Sequence, residues 1–304
     1  MGMIGELGEF GLIGRLTRRL PQGPAVRLGP GDDAAVVAAP DGRVVATTDL
    51  LVDGRHFRRD WSGPYDIGRK AAAQNLADVV AMGARPTALL IGFAAPAATE
   101  TGWAERLYDG FADECREAGA SVVGGDVVSA PQIMLAVTAL GDLGGAAPLT
   151  RSGARPGDIV AVRGRLGFAS AGLELLTEGR AGAEELIAAH RRPEPPYGAG
   201  GEARAHGATA LLDVSDGLVQ DLGHIADASG VRIEIDSASV PVPDVLGPDG
   251  LRHALTGGED HAFAGTFPGS VPPSWSRIGV VTTGSGVRVD GREPPSGAWD
   301  HFAV

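Results

Sequence analysis

Six short clusters place carboxylates beside glycines and hydroxyls: Gly31-Asp32-Asp33-Ala34, Thr47-Thr48-Asp49, Asn75-Leu76-Ala77-Asp78, Gly124-Gly125-Asp126, Asp213-Val214-Ser215-Asp216-Gly217 and Gly257-Gly258-Glu259-Asp260. Oxygen donors suit a hard divalent cation, and glycine lets backbone approach a ligand closely. Magnesium held against phosphate groups is the chemistry such a set would serve. Five of the six also have an ordinary explanation: a Pro-Gly turn at Asp32 and Asp33, a similar turn at Asp126, a polar strand end at Thr47-Thr48-Asp49, a solvated helix face at Asp78, a helix cap at Ser215 or Asp216. The argument for a site rests on their number and their places beside apolar runs.

The elements that must carry these groups follow from periodicity. Residues 66–82 read as a helix with Ile67, Ala71, Leu76, Val79 and Val80 at near-helical spacing and Gly83 as its C-cap. Asn75 and Asp78, three apart, share a face of it. Residues 43–48 read as a strand ending in Thr47-Thr48-Asp49; Thr47 and Asp49 then point one way, and Thr48 contributes from the other side or through its carbonyl. Residues 121–123 and 133–140 read as strands flanking a Gly124-Gly125-Asp126 loop. A strand over 210–214 runs into Ser215-Asp216-Gly217 and a helix over 218–228, where Ser215 or Asp216 caps and the helix N-terminus favours phosphate.

The 304 residues contain 43% hydrophobic and 21% charged side chains, which supports a full core and argues against disorder. A Gly-, Ala- and Pro-rich stretch from Gly144 to Gly157 separates two mixed halves, 1–143 and 144–304. Strands and helices interleave in both, so the expected class is α+β: two mixed α/β domains, each a sheet covered by helices. The net charge of −12 argues against nucleic acid as a partner, since phosphate backbones need a basic face. One cysteine, Cys115, rules out an internal disulfide and a multi-cysteine zinc cluster. The opening residues lack an apolar core of signal-peptide length, and the most apolar run, 88–98, is too short to span a bilayer. A cytoplasmic protein without membrane contact is expected. Gly63 to Lys70 imitates a phosphate-binding loop but carries Ala71 where a hydroxyl belongs.

The order of the motifs resembles the thiamine-monophosphate kinase family. Val52-Asp53-Gly54-Arg55-His56-Phe57, Leu149-Thr150-Arg151-Ser152-Gly153, Asp221-Leu222-Gly223-His224 and Trp299-Asp300-His301-Phe302 complete the pattern over essentially the whole chain. The resemblance implies ATP-dependent phosphorylation of thiamine monophosphate to the diphosphate. It implies several magnesium ions on Asp33, Thr47, Thr48, Asp49, Asp78, Asp126, Asp213 and Asp216. ATP contacts would come from Tyr108, Gly125, Asp126, Arg151 and Ser215, and thiamine phosphate contacts from His56, Glu259 and Trp299. Asp49, Asp78 and Arg151 would serve the transfer itself. A homodimer built through the N-terminal sheets, with ATP near the seam, is also implied. The sequence departs from the family pattern at His261-Ala262-Phe263 and at Pro195-Pro196-Tyr197.

The acceptor in such a reaction is a phosphate oxygen, already anionic at neutral pH, so no general base is needed. Repulsion between two polyanions is the obstacle that magnesium would remove. Two other readings fit the acidic motifs: an aminoimidazole ribonucleotide synthetase-like enzyme of the same superfamily, and a non-catalytic nucleotide-binding regulator.

Overall fold

The structure is a computed structural model that describes residues 2–30 and 34–294. The chain divides into two compact units, one of Met1–Val79 with Ala84–Ala146, the other of Val80–Gly83 with Ala147–Val304.

The first unit contains, in chain order, α1 (Ile4–Thr17), β1 (Val26–Leu28), β2 (Val36–Val37), β3 (Val45–Val52), α2 (Pro64–Ala81), β4 (Arg85–Ala95), α3 (Thr101–Ala118), β5 (Ser121–Ser129) and β6 (Met134–Asp142). Its main sheet has the order β3-β6-β4-β5, antiparallel except for the β4–β5 pair. One face packs the core: Leu51, Leu89, Ile91, Leu135 and Val137 are all fully buried, as are Leu76 and Val79 of α2 and Leu107 and Phe111 of α3. Alternation along each strand sends the next residues to the other face. That face exposes Leu50 (55%), Val128 (49%) and Met134 (40%). Cys115 lies buried in α3, and burial, with the Glu114 charge, pushes its thiol up, so it is an inert packing residue.

The second unit contains β7 (Ile159–Arg163), α4 (Phe168–Thr177), α5 (Glu184–Arg191), α6 (Ala199–Ala205), β8 (Ala210–Val214), α7 (Leu218–Ser229), β9 (Arg232–Ile235), α8 (Gly250–Thr256), β10 (Ala262–Phe267), β11 (Ser276–Thr282) and β12 (Gly286–Val289). The sheet order is β12-β9-β11-β7-β10-β8, with only the β12–β9 pair parallel. Val162, Leu212 and Ile233 of the sheet pack with Leu222 and Ile225 of α7 and Leu255 of α8. A smaller cluster joins Phe168 and Ala171 of α4 to Leu186 and Ala189 of α5. The expected α+β class with helix-covered sheets is what the fold shows.

Two local expectations fail. Thr47-Thr48-Asp49 does not end a strand, because β3 continues through the β-forming run Leu50-Leu51-Val52. Gly124-Gly125-Asp126 is not a loop but the middle of β5. The pairing with β4 skips Val123, a bulge immediately before the glycine pair. Gly125 has φ 155°, and a Cβ on it would stand 1.9 Å from the Ile91 carbonyl oxygen. Only glycine permits this approach.

Candidate active site

In the first unit the chemistry lies on the seam between β3 and α2. Thr47, Asp49 and Leu51 face the helix, and the helix answers with positions 71, 74, 75 and 78, which share one face at i, i+3 and i+4 spacing. Thr47 Oγ1 donates to Asp78 Oδ2 at 2.8 Å, and Gln74 Nε2 donates to Asp49 Oδ2 at 3.0 Å. The Asp49 N–H donates to Asn75 Oδ1 at 3.1 Å, and Asn75 Nδ2 donates to the Ala71 carbonyl at 2.9 Å. Asn75 is completely buried, so these bonds meet the requirement that a buried amide be satisfied. Each of the two carboxylates therefore has one oxygen oriented by a neutral donor. Gln74 and Asn75 do this orienting; the sequence reading named Asn75 only as a face-mate of Asp78 and gave Gln74 no part.

Thr48 does not join this group. Its hydroxyl donates to the Val137 carbonyl at 3.0 Å and receives the Thr138 hydroxyl at 3.1 Å, on the opposite face of β3. Asp126 is on that opposite face too. Asp49, Val137, Ile91 and Gly125 form one cross-strand row, while Asp126 pairs with Gly92 in the next. Asp49 and Asp126 are thus three strand spacings apart, roughly 14 Å, and point to different sides of the sheet. Within one copy of this unit they do not converge.

His56 follows β3 in a tight turn in which the N–H groups of Arg55 and His56 both reach the Val52 carbonyl. The Val52 N–H donates to His56 Nδ1 at 3.1 Å, so in the neutral ring Nε2 carries the proton. Tyr108, expected on a nucleotide, lies against the core of the first unit. It is 5% exposed on the core side of α3, edge-on to Phe93 and Phe111, and burial pushes its hydroxyl well above the usual phenol range. A ring packed this way supports the sheet.

In the second unit β8 delivers Asp213 and the turn Ser215-Asp216-Gly217 to α7. Neither Ser215 nor Asp216 caps the helix; Gly217 is the N-cap and has no side chain to offer. Asp221, in the first turn, reaches back instead. Its Oδ2 accepts the N–H groups of Ser215, Asp216 and Gly217 at 3.1, 3.1 and 3.0 Å. These donors are the ones a phosphate at the helix N-terminus would want, so the expected direct phosphate contact there is already taken. Burial and then the Asp213 charge push the Asp221 carboxyl up to about 7, against the pull of the N–H bonds.

The loop 257–261 lies over this turn. The Glu259 N–H donates to the Ser215 carbonyl at 2.8 Å and the His261 N–H to the Val214 carbonyl at 3.0 Å. Glu259 and His261 both have left-handed backbone, φ 66° and 51°, conformations that non-glycine residues hold only when surroundings impose them. Glu259 approaches His190, with Oε2 3.5 Å from Nδ1. The buried His261 side chain turns inward, its Nδ1 3.1 Å from Asp213 Oδ2. Arg151 is exposed beside the free edge of β8, where the Thr150 carbonyl accepts the Leu211 N–H.

Between these two left-handed residues, Asp260 is buried and accepts N–H groups of Gly167 and Ala169 at the start of α4. Burial nonetheless pushes its carboxyl up to about 7. The folded protein then holds a proton that an unfolded carboxyl releases near pH 4, so this group's stabilising contribution is full below about pH 4 and is lost as pH rises through about 7. Urea unfolding at about pH 5 and about pH 8 should show a steeper loss of stability in the wild type than in Asp260→Asn. Equal losses would contradict the assignment.

Among the described residues no three or more His, Cys, Asp or Glu side chains form a group able to hold a metal ion. Carboxylates come in twos instead: Asp49 and Asp78 on one seam, Asp213 and Asp216 around one turn. Such a set fits magnesium, which takes one or two carboxylates and fills its remaining positions with phosphate oxygens and water. Asp33 and Trp299 lie outside the described residues.

Comparison with known proteins bears on the whole chain. The family described as AIR synthase related protein matches through its N-terminal domain at residues 31–143 and its C-terminal domain at 155–267. Thiamine-monophosphate kinase of Mycobacterium tuberculosis is 51% identical over 297 residues, covering 95% of this chain and 89% of that protein. The crystal structure of thiamine-monophosphate kinase from Stenotrophomonas maltophilia superposes with a TM-score of 0.85 at 35% identity, covering 94% of this chain and 97% of the other. AaThiL complexed with AMPPCP and TMP superposes with a TM-score of 0.81 at 35% identity over 99% of both chains. With this likeness running from the β3–α2 seam through the Asp213 turn, the chain belongs to the thiamine-monophosphate kinase family.

Proposed function

We propose that this protein transfers the γ-phosphoryl group of ATP to the phosphate of thiamine monophosphate, giving thiamine diphosphate and ADP. The observation that carries this reading is the likeness over 99% of both chains to a protein complexed with AMPPCP and TMP, together with oriented carboxylates in both units. An oxygen of the thiamine monophosphate phosphate attacks the γ-phosphorus in line, and the bond from that phosphorus to the β-phosphate oxygen breaks. The attacking oxygen is already an anion, so no proton has to be removed.

Magnesium held by Asp33, Asp49, Asp78, Asp126, Asp213 and Asp216 would neutralise the charge between the two polyanions. Thr47 serves by fixing Asp78, and Thr48 contributes through its backbone rather than its hydroxyl. Arg151, exposed at the β8 edge, would reach the phosphoryl group in flight, and Gly125 and Ser215, the latter through its side chain because its N–H is held by Asp221, would lie against the nucleotide. His56 donates Nε2–H to the substrate phosphate. Glu259, projected from a strained loop, and Trp299 take the thiamine end. We place the reaction in the cytoplasm, where ATP and magnesium are supplied.

A homodimer completes this reading. The exposed apolar face of the β3-β6-β4-β5 sheet is the surface a second copy would cover, and Asp126 stands on it. Leu50→Asp is expected to yield a monomer in light scattering and to lose activity with it. A wild-type protein that is monomeric at micromolar concentration and fully active would contradict the dimer. The reaction itself is tested by supplying ATP and magnesium with either thiamine monophosphate or formylglycinamidine ribotide. Turnover with the first alone is expected; turnover with the second alone would move the assignment to the synthetase-like enzymes.

A further inference from the structure

We infer that His261 is a positioning residue for magnesium at Asp213, an inference that rests on the function proposed above. Both residues are buried, at 6% exposure each, with Nδ1 and Oδ2 3.1 Å apart. A carboxylate can only accept, so the hydrogen on this bond belongs to Nδ1, and the neutral ring suffices to supply it. The pairing of β10 with β8 sets Phe263 opposite Asp213, so His261, two residues earlier, stands diagonal to Asp213, and its N–H donates to the Val214 carbonyl at 3.0 Å. The left-handed backbone at His261 turns its ring back over the end of β8. The fold thus holds a histidine in a costly conformation at the one place where it meets a carboxylate proposed to bind metal.

The consequence is directional. With Oδ2 engaged by the imidazole, Asp213 would offer its other oxygen to the ion, and the bond to His261 limits how the carboxylate can turn. Donors to a ligating carboxylate orient it and tune its affinity. This gives a part to His261, one of the positions at which the sequence departs from the family pattern.

The test is Mn2+ binding to the full-length protein, read as free ion by electron paramagnetic resonance. Asp213→Asn identifies the site, by the binding it loses. His261→Gly adopts a positive φ without strain and removes the donor; His261→Asn also tolerates that backbone, and its Nδ2 stands near where Nδ1 stood. At the Asp213 site, His261→Gly is expected to weaken Mn2+ about tenfold, and His261→Asn to restore binding to within about twofold of wild type. His261→Gly binding as tightly as wild type, while Asp213→Asn does not, would overturn the role of His261 and leave the metal site standing. Unchanged binding in Asp213→Asn as well would overturn both.

Discussion

Asp49→Asn and Asp78→Asn should each lower kcat/KM for thiamine diphosphate formation by at least about a hundredfold, with a melting temperature close to that of the wild type. The asparagine oxygen can still accept the Gln74 amide at position 49 or the Thr47 hydroxyl at position 78, so the β3–α2 seam keeps its bonds. What disappears is one negative charge where, on the proposed function, a divalent cation would meet phosphate. The effect is therefore on rate and magnesium dependence, not on folding. Steady-state assays across a magnesium series, paired with thermal unfolding, separate the two. Full turnover by either variant at saturating magnesium would remove these residues from the site.

Gly125→Ala is expected to have the largest effect on stability. The added Cβ would meet the Ile91 oxygen at 1.9 Å, its carbon at 2.7 Å and its nitrogen at 2.9 Å, all backbone. Backbone in the interior of a sheet cannot swing aside as the end of a side chain can. Either the β4–β5 pairing opens or the bulge moves, at a cost of about 3 kcal/mol and a fall in melting temperature of about 10 °C. A fall of less than about 2 °C in circular dichroism melts would show that the strands can separate freely there.

The sequence made some of this legible and hid the rest for identifiable reasons. Asn75 and Asp78 could be placed because helical spacing converts a difference of three into a shared face, and α2 has the apolar period to support it. Alternation placed Thr47 with Asp49 and set Thr48 apart, and the bonds of the three side chains follow that division. The end of β3 was misplaced because a polar triplet was read as a terminus, although Leu50-Leu51-Val52 continues the strand-forming run. Gly124-Gly125 was read as a loop because glycines usually weaken strands; only the parallel partner β4 supplies the reason for them. Asp221 has a local signature, a carboxylate four residues after the glycine that begins α7, but its three N–H bonds depend on how the turn folds back. The short helix α8 and the strand β12 had too few residues to show a period. The fold class survived these errors because it depends on where apolar runs fall, not on where each ends.

The separation of Asp126 from Asp49 across the sheet also changes the picture of the site. The strand order keeps Asp126 from joining Asp49 and Asp78 within one copy of the first unit. Carboxylates are paired instead, Asp49 with Asp78 in the first unit and Asp213 with Asp216 in the second, and on the proposed function a second copy would cover the Asp126 face.

Phosphorus NMR of one reaction mixture tests the central claim most directly. With ATP, thiamine monophosphate and magnesium, the monoester signal should give way to the coupled pair of a diphosphate, with ADP appearing in equal amount and no inorganic phosphate; chelating the magnesium should stop it. Release of inorganic phosphate from ATP with the monoester signal untouched would contradict the account.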